Sequence, residues 1–227
     1  MPYSFEKKVS WDRFDLPNIP LFSTKLPKNI TNKLWEYIEK AKENPENNNS
    51  SLAGNISTSL YLNDEDDFLM KNLLDPVIKN YLDPTKVGLK WNSGIRVNSH
   101  AHKNYVLNGL WVNFQKQTEF NPLHNHSGVL SFVIWLKIPT NWAEQHDLPI
   151  SKNSNTPSAS DFQLVYTDIL GCVATYNVMM GKNIENVILV FPSQLKHLVY
   201  PFYNCDQDRI SISGNISLDS TQYTKRG

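Results

Sequence analysis

The chain has 227 residues, enough for one sizeable hydrophobic core and short for two independent enzyme domains, so one domain over residues 1–227 is expected. Its 22 basic and 22 acidic side chains give zero formal net charge, and no long Lys or Arg run indicates bulk nucleic-acid binding. No apolar run approaches the roughly 20 residues that span a bilayer, and the N-terminus lacks the apolar core of a signal peptide. With only two cysteines, these features predict a cytoplasmic protein without a membrane partner. Nothing in the sequence indicates an oligomeric state.

The first part of the chain predicts helices. From Asn29 to Glu43, apolar residues recur at intervals of three and four, which is typical of an amphipathic helix. Asp64 to Leu82 has similar spacing, and Pro76 is expected to kink or restart that helix. Residues 1–85 are therefore predicted to form an N-terminal helical part.

After Val87 the pattern changes to short runs rich in β-forming residues. So many strands in one block indicate a sandwich or jelly roll, hence an α+β, mainly β chain over 86–219 with the helices packed on one sheet. The predicted strands are Gly94–Asn98, Leu110–Lys116, Val129–Ile138, Phe162–Thr167, Cys172–Val178, Asn186–Phe191, His197–Phe202 and Arg209–Leu218.

Residues 139–160 form a polar stretch rich in Asn, Ser and Pro, which is longer than most connections in compact domains. Two interpretations stay open at this point. The stretch is either a lid that gates substrate or a surface insertion.

A pair of histidines, His124 and His126, precedes the apolar strand that begins at Val129. On an extended chain, residues two apart face the same way, so both imidazoles can point at one interior metal ion. The spacing alone is weak support, because the pair His100 and His102 repeats it.

The C-terminal part adds a strand ending in Phe-Pro-Ser at Ser193, a histidine at His197, and the Arg-x-Ser pair Arg209 and Ser211. With the earlier histidine pair, this order resembles the iron(II)- and 2-oxoglutarate-dependent oxygenases. The resemblance implies a double-stranded β-helix. Leu52–Ile56, Trp111–Asn113 and the His-x-His-Ser-Gly run are similar to a subgroup from marine bacteria and their phages, which carries an HxH metal motif.

This resemblance also implies roles for particular residues. His124, His126 and His197 would be the iron ligands and hence the catalytic centre, while Arg209 and Ser211 would bind the far carboxylate of 2-oxoglutarate. Asn113, on the strand before the histidine pair, is expected to line the co-substrate pocket, with Trp111 as the alternative. The resemblance thus implies three metal ligands and three co-substrate residues.

Position 126 departs from the family pattern, which has a carboxylate there as part of a facial triad. Three neutral imidazoles would leave iron(II) with two positive charges, which a 2-oxoglutarate dianion would formally neutralise. The same ligand set also suits zinc or nickel. Asp147 and Asp161 are the alternative carboxylates.

Strand geometry gives a separate expectation for Arg209. If the chain turns at 204–207, Arg209 pairs near Phe202 and lies about 15 Å along the sheet from His197, at about 3.3 Å per residue. Arg209 shares its face of the strand with Ser211, whereas Ile210 and Ile212 take the other face. A polar interior face indicates a bound polar ligand.

The function implied is a dioxygenase that hydroxylates a C–H bond of an unidentified prime substrate and converts 2-oxoglutarate to succinate and CO2. A first alternative is a cupin-like enzyme with a three-histidine metal and no 2-oxoglutarate, which gives Arg209 no role. A second is a β-sandwich binding module without catalysis, in which His124 and His197 serve folding alone.

Overall fold

The computed structural model describes residues 21–82 and 105–219. The predicted strand Gly94–Asn98 and the pair His100 and His102 lie outside the described residues.

The first predicted helix is confirmed as α1, Lys28–Glu43. Ile30, Leu34 and Ile38 lie on one side of it and are buried, as the spacing of apolar residues predicts. Lys40 and Lys42 lie in its last turn, where positive charge is favoured by the helix dipole.

The second helical region is broken into three short pieces. A 3₁₀ turn at Glu65–Asp67 and a π-helical turn at Met70–Leu74 precede α2, Asp75–Leu82. Pro76 lies in the first turn of α2, where its missing N–H group is tolerated, and the wider π turn comes directly before it. The expected restart at Pro76 is therefore present.

The described residues contain ten strands, which form two antiparallel sheets. Seven of the eight predicted strands lie in the described residues and are all present; two of them, β6 and β10, have the predicted bounds. The strands are β1 Phe22–Lys25, β2 Thr58–Tyr61, β3 Tyr105–Gln115, β4 Asn121–His124, β5 Leu130–Lys137, β6 Phe162–Thr167, β7 Val173–Val178, β8 Val187–Pro192, β9 Lys196–Val199 and β10 Arg209–Leu218.

The strand order is β1-β8-β5-β10-β3-β2 in the larger sheet and β4-β9-β6-β7 in the smaller one. Strands that are consecutive along the chain often lie in different sheets, which is the connectivity of a jelly roll. The expected mainly β architecture, a double-stranded β-helix with helices on one sheet, is confirmed.

Two apolar clusters divide the core. The first joins α1 to the outer face of the larger sheet and includes Ile212 of β10 and Ile134 of β5. The second lies between the sheets and includes Trp135, Phe162 and Phe191. The predicted alternation along β10 is confirmed, because Ile210, Ile212 and Ile216 all belong to the helix-side cluster.

The predicted hairpin between β9 and β10 is wrong. β9 lies in the smaller sheet between β4 and β6, and β10 lies in the larger sheet between β3 and β5. Both edges of each strand are already hydrogen-bonded, so neither can pair with the other. Arg209 is therefore in register with Gln115 of β3, and it meets Phe202 only through its side chain.

The long polar connection contains one short helix, α3, Trp142–His146. The Asn141 side chain caps it by accepting a hydrogen bond from the Ala143 N–H group at 2.9 Å. A helix of five residues leaves too short a periodic pattern to be predicted. Within the described ranges, no helix is both long enough and apolar enough to cross a membrane.

Gly128, between the histidine pair and β5, has a backbone that only glycine adopts without strain. Its φ is +105°, and a Cβ there would lie 2.8 Å from the carbonyl oxygen of Ile216. Gly128→Ala is expected to lower the free energy of unfolding by about 2–4 kcal/mol, since backbone strain and steric overlap add. Urea unfolding of Gly128→Ala and wild type measures this loss of free energy.

Gly171→Ala is the matched control for this prediction. Gly171 also has a positive φ, +85°, but no atom lies within 4 Å of its Cβ position. Gly171→Ala should therefore lower the free energy of unfolding only by the contribution of backbone strain, without the contribution of steric overlap. Equal losses in the two variants would contradict a role for the close approach to β10.

Candidate metal centre and its polar surroundings

Three histidines converge at one end of the smaller sheet. His124 of β4 stands directly opposite His197 of β9 in the antiparallel register, and His126 follows β4 by two residues. One ring nitrogen from each lies within 4.8 Å of the other two, a spacing that allows all three to hold one metal ion. The structure thus brings together the three histidines singled out in the sequence.

Two of these imidazoles are oriented by backbone carbonyl groups. Nδ1 of His124 lies 2.7 Å from the Pro122 oxygen, and Nδ1 of His197 lies 2.9 Å from the Leu195 oxygen. A carbonyl oxygen only accepts, so each Nδ1 carries the proton and each Nε2 keeps its lone pair. This is how metal-binding histidines are commonly fixed by their surroundings.

The backbone of His126 is held by the turn between β8 and β9. Its N–H group donates to the Ser193 oxygen at 2.8 Å, and its own oxygen accepts from Nε2 of Gln194 at 3.2 Å. The Asn125 side chain also donates to Gln194, at 2.9 Å. These contacts hold the third imidazole near the other two.

Burial keeps the three imidazoles neutral. Burial, with a smaller contribution from the neighbouring His124, lowers the pKa of His197 to about 3 and that of His126 to about 4, and burial also lowers the pKa of His124. Neutral imidazole is the form that binds a metal ion, so the cluster is ready to bind without first losing protons.

No carboxylate joins this cluster among the described residues. Asp161 is fully buried and bonded to His146, and Asp147 is exposed at the end of α3. Neither alternative carboxylate is grouped with the three histidines.

A polar wall lies beside the histidines on the inner face of the larger sheet. Trp111 and Asn113 of β3 are in register with Ser213 and Ser211 of β10. The Trp111 ring centroid lies 5.8 Å from that of His126. Nε1 of Trp111 and Oδ1 of Asn113 are buried and have no hydrogen-bond partner.

Buried polar atoms without partners are costly, and such atoms indicate that a ligand supplies the missing bonds. Here two of them lie on a wall that also carries two serines, close to the three-histidine cluster. The donor set and the unpaired atoms therefore fit a metal ion together with a polar organic ligand.

Arg209 is buried at 2% exposure at the start of β10. Its Nε and Nη2 donate to Oε1 of Gln115 at 3.0 and 2.8 Å, its Nη1 to both oxygens of Ser160, and its Nη2 to the Tyr200 carbonyl at 3.0 Å. The guanidinium also lies 5.3 Å from the Phe202 ring centroid. In this conformation every N–H group of Arg209 is used within the protein.

The sequence indicated Arg209 but missed its partners Gln115, Ser160 and Tyr200. One signal was available for Gln115, which shares its face of β3 with Asn113 because the two are two residues apart. Ser160 and Tyr200 are reached only through the connectivity of the two sheets.

A second buried polar group lies close to Arg209. Oδ2 of Asp161 accepts from Nε2 of His146 and from Nδ2 of Asn177, each at 3.0 Å, and Oδ1 has no partner. Burial raises the pKa of Asp161, although His146, Asn177 and the positive charge of Arg209 oppose this. These contacts attach α3 to the smaller sheet.

Asp161→Asn is expected to gain stability relative to wild type as the pH rises from 4 to 7. A carboxyl group whose pKa is higher in the folded chain favours folding at low pH, and this contribution is lost as the pH rises through the folded-state pKa. Urea unfolding at several pH values measures the difference. Asp147→Asn, which removes an exposed carboxyl of the same connection, is the control. If the stability difference between Asp161→Asn and wild type stays constant from pH 4 to 7, burial does not dominate the pKa of Asp161.

A family model described as "Putative 2OG-Fe(II) oxygenase" matches residues 109–215. This range contains the three histidines and the predicted co-substrate residues Asn113, Arg209 and Ser211. No curated protein sequence matches the chain.

Several solved structures share the fold at low sequence identity. A prolyl-4-hydroxylase from Pseudomonas putida is 12% identical with a TM-score of 0.51, over 89% of this chain and 94% of that one. A prolyl hydroxylase from Trichoplax adhaerens, solved with a hypoxia inducible factor peptide, is 10% identical with a TM-score of 0.52, over 89% and 84%. The non-heme alpha ketoglutarate dependent epimerase SnoN from nogalamycin biosynthesis is 9% identical with a TM-score of 0.51, over 89% and 77%.

Proposed function

We propose that this chain is a member of the 2OG-Fe(II) oxygenase superfamily and a dioxygenase that hydroxylates a C–H bond and releases succinate and CO2 from 2-oxoglutarate. His124, His126 and His197 would hold iron(II). The observation that carries the proposal is the convergence of three imidazoles within 4.8 Å, two of them with Nε2 left unprotonated by a carbonyl contact at Nδ1.

Iron(II), when bound with 2-oxoglutarate, supplies the activation of dioxygen for this chemistry. The protein residues orient and enclose it. Phe162 and Phe191 pack on the His197 ring, with centroids 5.5 and 5.0 Å away, so water is kept from that side of the site.

The polar wall is proposed to bind the co-substrate. Arg209 and Ser211 would meet its far carboxylate, and Asn113 would line the same pocket beside Trp111. Because three neutral imidazoles leave the charge of iron(II) uncompensated, a dianionic co-substrate is the ligand that neutralises the site.

The finer assignments rest on sequence similarity. We place the chain in the HxH subgroup of marine bacteria and phages, on the residues His124, His126 and Gly128. We also propose one oxygenase domain over 1–227 acting in the cytoplasm, or in the host cytoplasm if the chain is encoded by a phage. Both cysteines, Cys172 and Cys205, are free, and this supports a reducing compartment, where disulfides are rare.

The test is succinate formation from 2-oxoglutarate under air, with and without added iron(II), because oxygenases of this class slowly turn over co-substrate alone. Iron-dependent succinate is the expected result. No succinate, together with no 2-oxoglutarate binding by calorimetry in the presence of iron(II), would overturn the proposal.

The same experiment separates the alternatives. Tight metal binding without any effect of 2-oxoglutarate is the result expected of a three-histidine, cupin-like enzyme. A chelator that changes only the melting temperature is the result expected of a binding module without catalysis.

A further inference from the structure

The buried, charged guanidinium of Arg209 is hydrogen-bonded to a neutral side chain. Gln115 lies opposite Arg209 in the register of β3 and β10 and is 4% exposed. Its Oε1 accepts from Nε and Nη2 together, at 3.0 and 2.8 Å. Within the described parts of the chain, no carboxylate oxygen lies within 4.0 Å of the guanidinium.

The amide of Gln115 is itself held in one orientation. Its Nε2 donates to the Glu119 carbonyl at 2.6 Å, which turns Oε1 toward Arg209. The Glu119 carboxylate accepts the N–H groups of Ser57 and Lys116, each at 2.9 Å, and so holds the turn after β3. A guanidinium has only hydrogen-bond donors. In the opposite amide orientation the NH2 group of Gln115, also a donor, would face the donors of Arg209.

Gln115 thereby fixes one edge of the guanidinium plane and leaves its charge in place. The other end, Nη1 and Nη2, contacts Ser160 and the Tyr200 carbonyl, which are neutral acceptors. Tyr200 follows His197 by three residues, roughly 10 Å along an extended chain at 3.3 Å per residue. A five-carbon diacid bound at the histidines can reach that end of Arg209.

A carboxylate makes a stronger bond to a guanidinium than a neutral carbonyl does, so it can replace these acceptors. We propose that Gln115 is a positioning residue, which orients Arg209 for the far carboxylate of the co-substrate without neutralising it. This inference rests on the proposed function.

The test measures how well the protein distinguishes 2-oxoglutarate from 2-oxopentanoate, which has the same chain length and lacks the far carboxylate. Dissociation constants for both acids are measured by calorimetry with iron(II) under anaerobic conditions. Gln115→Glu would pair with Arg209 and compete with the far carboxylate. We expect it to lower the preference for 2-oxoglutarate at least tenfold, with little change in 2-oxopentanoate or iron(II) binding.

Gln115→Met removes the acceptor without adding charge, and it serves if Gln115→Glu fails to fold. We expect it to lower the same preference several-fold, because Arg209 is no longer held along one edge. Gln163→Glu, at a buried glutamine of β6, is the matched control and should leave the preference within twofold of wild type.

A purely structural role for Gln115 would weaken both acids equally and leave their ratio unchanged, and that result would overturn this inference alone. Wild-type protein that neither binds 2-oxoglutarate nor forms succinate would overturn the proposed function, and this inference with it.

Discussion

Replacing His197 with alanine is expected to abolish iron-dependent succinate formation and to weaken iron(II) binding by more than about 100-fold, beyond the loss typical of a residue that only supports a ligand. His197 is 4% exposed, and the rings that pack against it from Phe162 and Phe191 carry no metal ligand. Its Nδ1 bond to Leu195 aligns Nε2 with the two other imidazoles. Calorimetry with iron(II) under anaerobic conditions and a succinate assay measure the two effects.

His146→Ala is the matched control for this prediction. His146 is the described histidine outside the cluster, and its Nε2 is bonded to Asp161. Its loss should leave iron(II) affinity within about twofold of wild type, because it touches none of the three histidines. A His197→Ala protein that binds iron(II) as tightly as wild type would contradict the assignment of the centre.

Replacing Arg209 with lysine is expected to lower the free energy of unfolding by about 2–4 kcal/mol, which for a chain of this size lowers Tm by several degrees. The guanidinium bridges β3, the end of the long connection and the end of β9 through Gln115, Ser160 and Tyr200. An ammonium group keeps the charge but cannot present donors in that planar arrangement. Buried acceptors would therefore lose their partners.

Urea unfolding and calorimetry with 2-oxoglutarate measure the effects of Arg209→Lys on stability and on co-substrate binding. Ser213→Ala is the control for the stability measurement alone, since it changes the same face of β10 at a side chain that makes no hydrogen bond within the described part of the chain, and it should cost less than about 1 kcal/mol. If Arg209→Lys has the same free energy of unfolding as wild type, the guanidinium contacts do not stabilise the fold.

Much of the fold could be predicted because its longer elements carry clear periodic patterns. β10 alternates apolar and polar residues over ten positions, and α1 repeats apolar residues over four turns. β1, β2 and β4 are each four residues long and were not predicted. They are extended mainly because they pair with distant strands, which a local pattern does not show.

The candidate site also contains residues that the sequence could predict and residues that it could not. The histidines and the Arg-x-Ser pair belong to short motifs with fixed spacing, so the sequence indicated them directly. Two of the three partners of Arg209, Ser160 and Gln115, lie 49 and 94 residues away, and only the connectivity of the two sheets brings them to Arg209. The mistaken hairpin has the same origin, because sequence proximity of β9 and β10 hid their placement in opposite sheets.

The pairing of His124 with His197 also bears on when the proposed metal centre can form during synthesis. These two proposed ligands come from neighbouring strands, yet β5, β6, β7 and β8 all lie between them along the chain. Bringing them together requires closure of a long loop, which is slow and occurs after local structure forms. A partly synthesised chain is thus expected to have little affinity for iron(II), so metal uptake would mark the completion of folding rather than its nucleation.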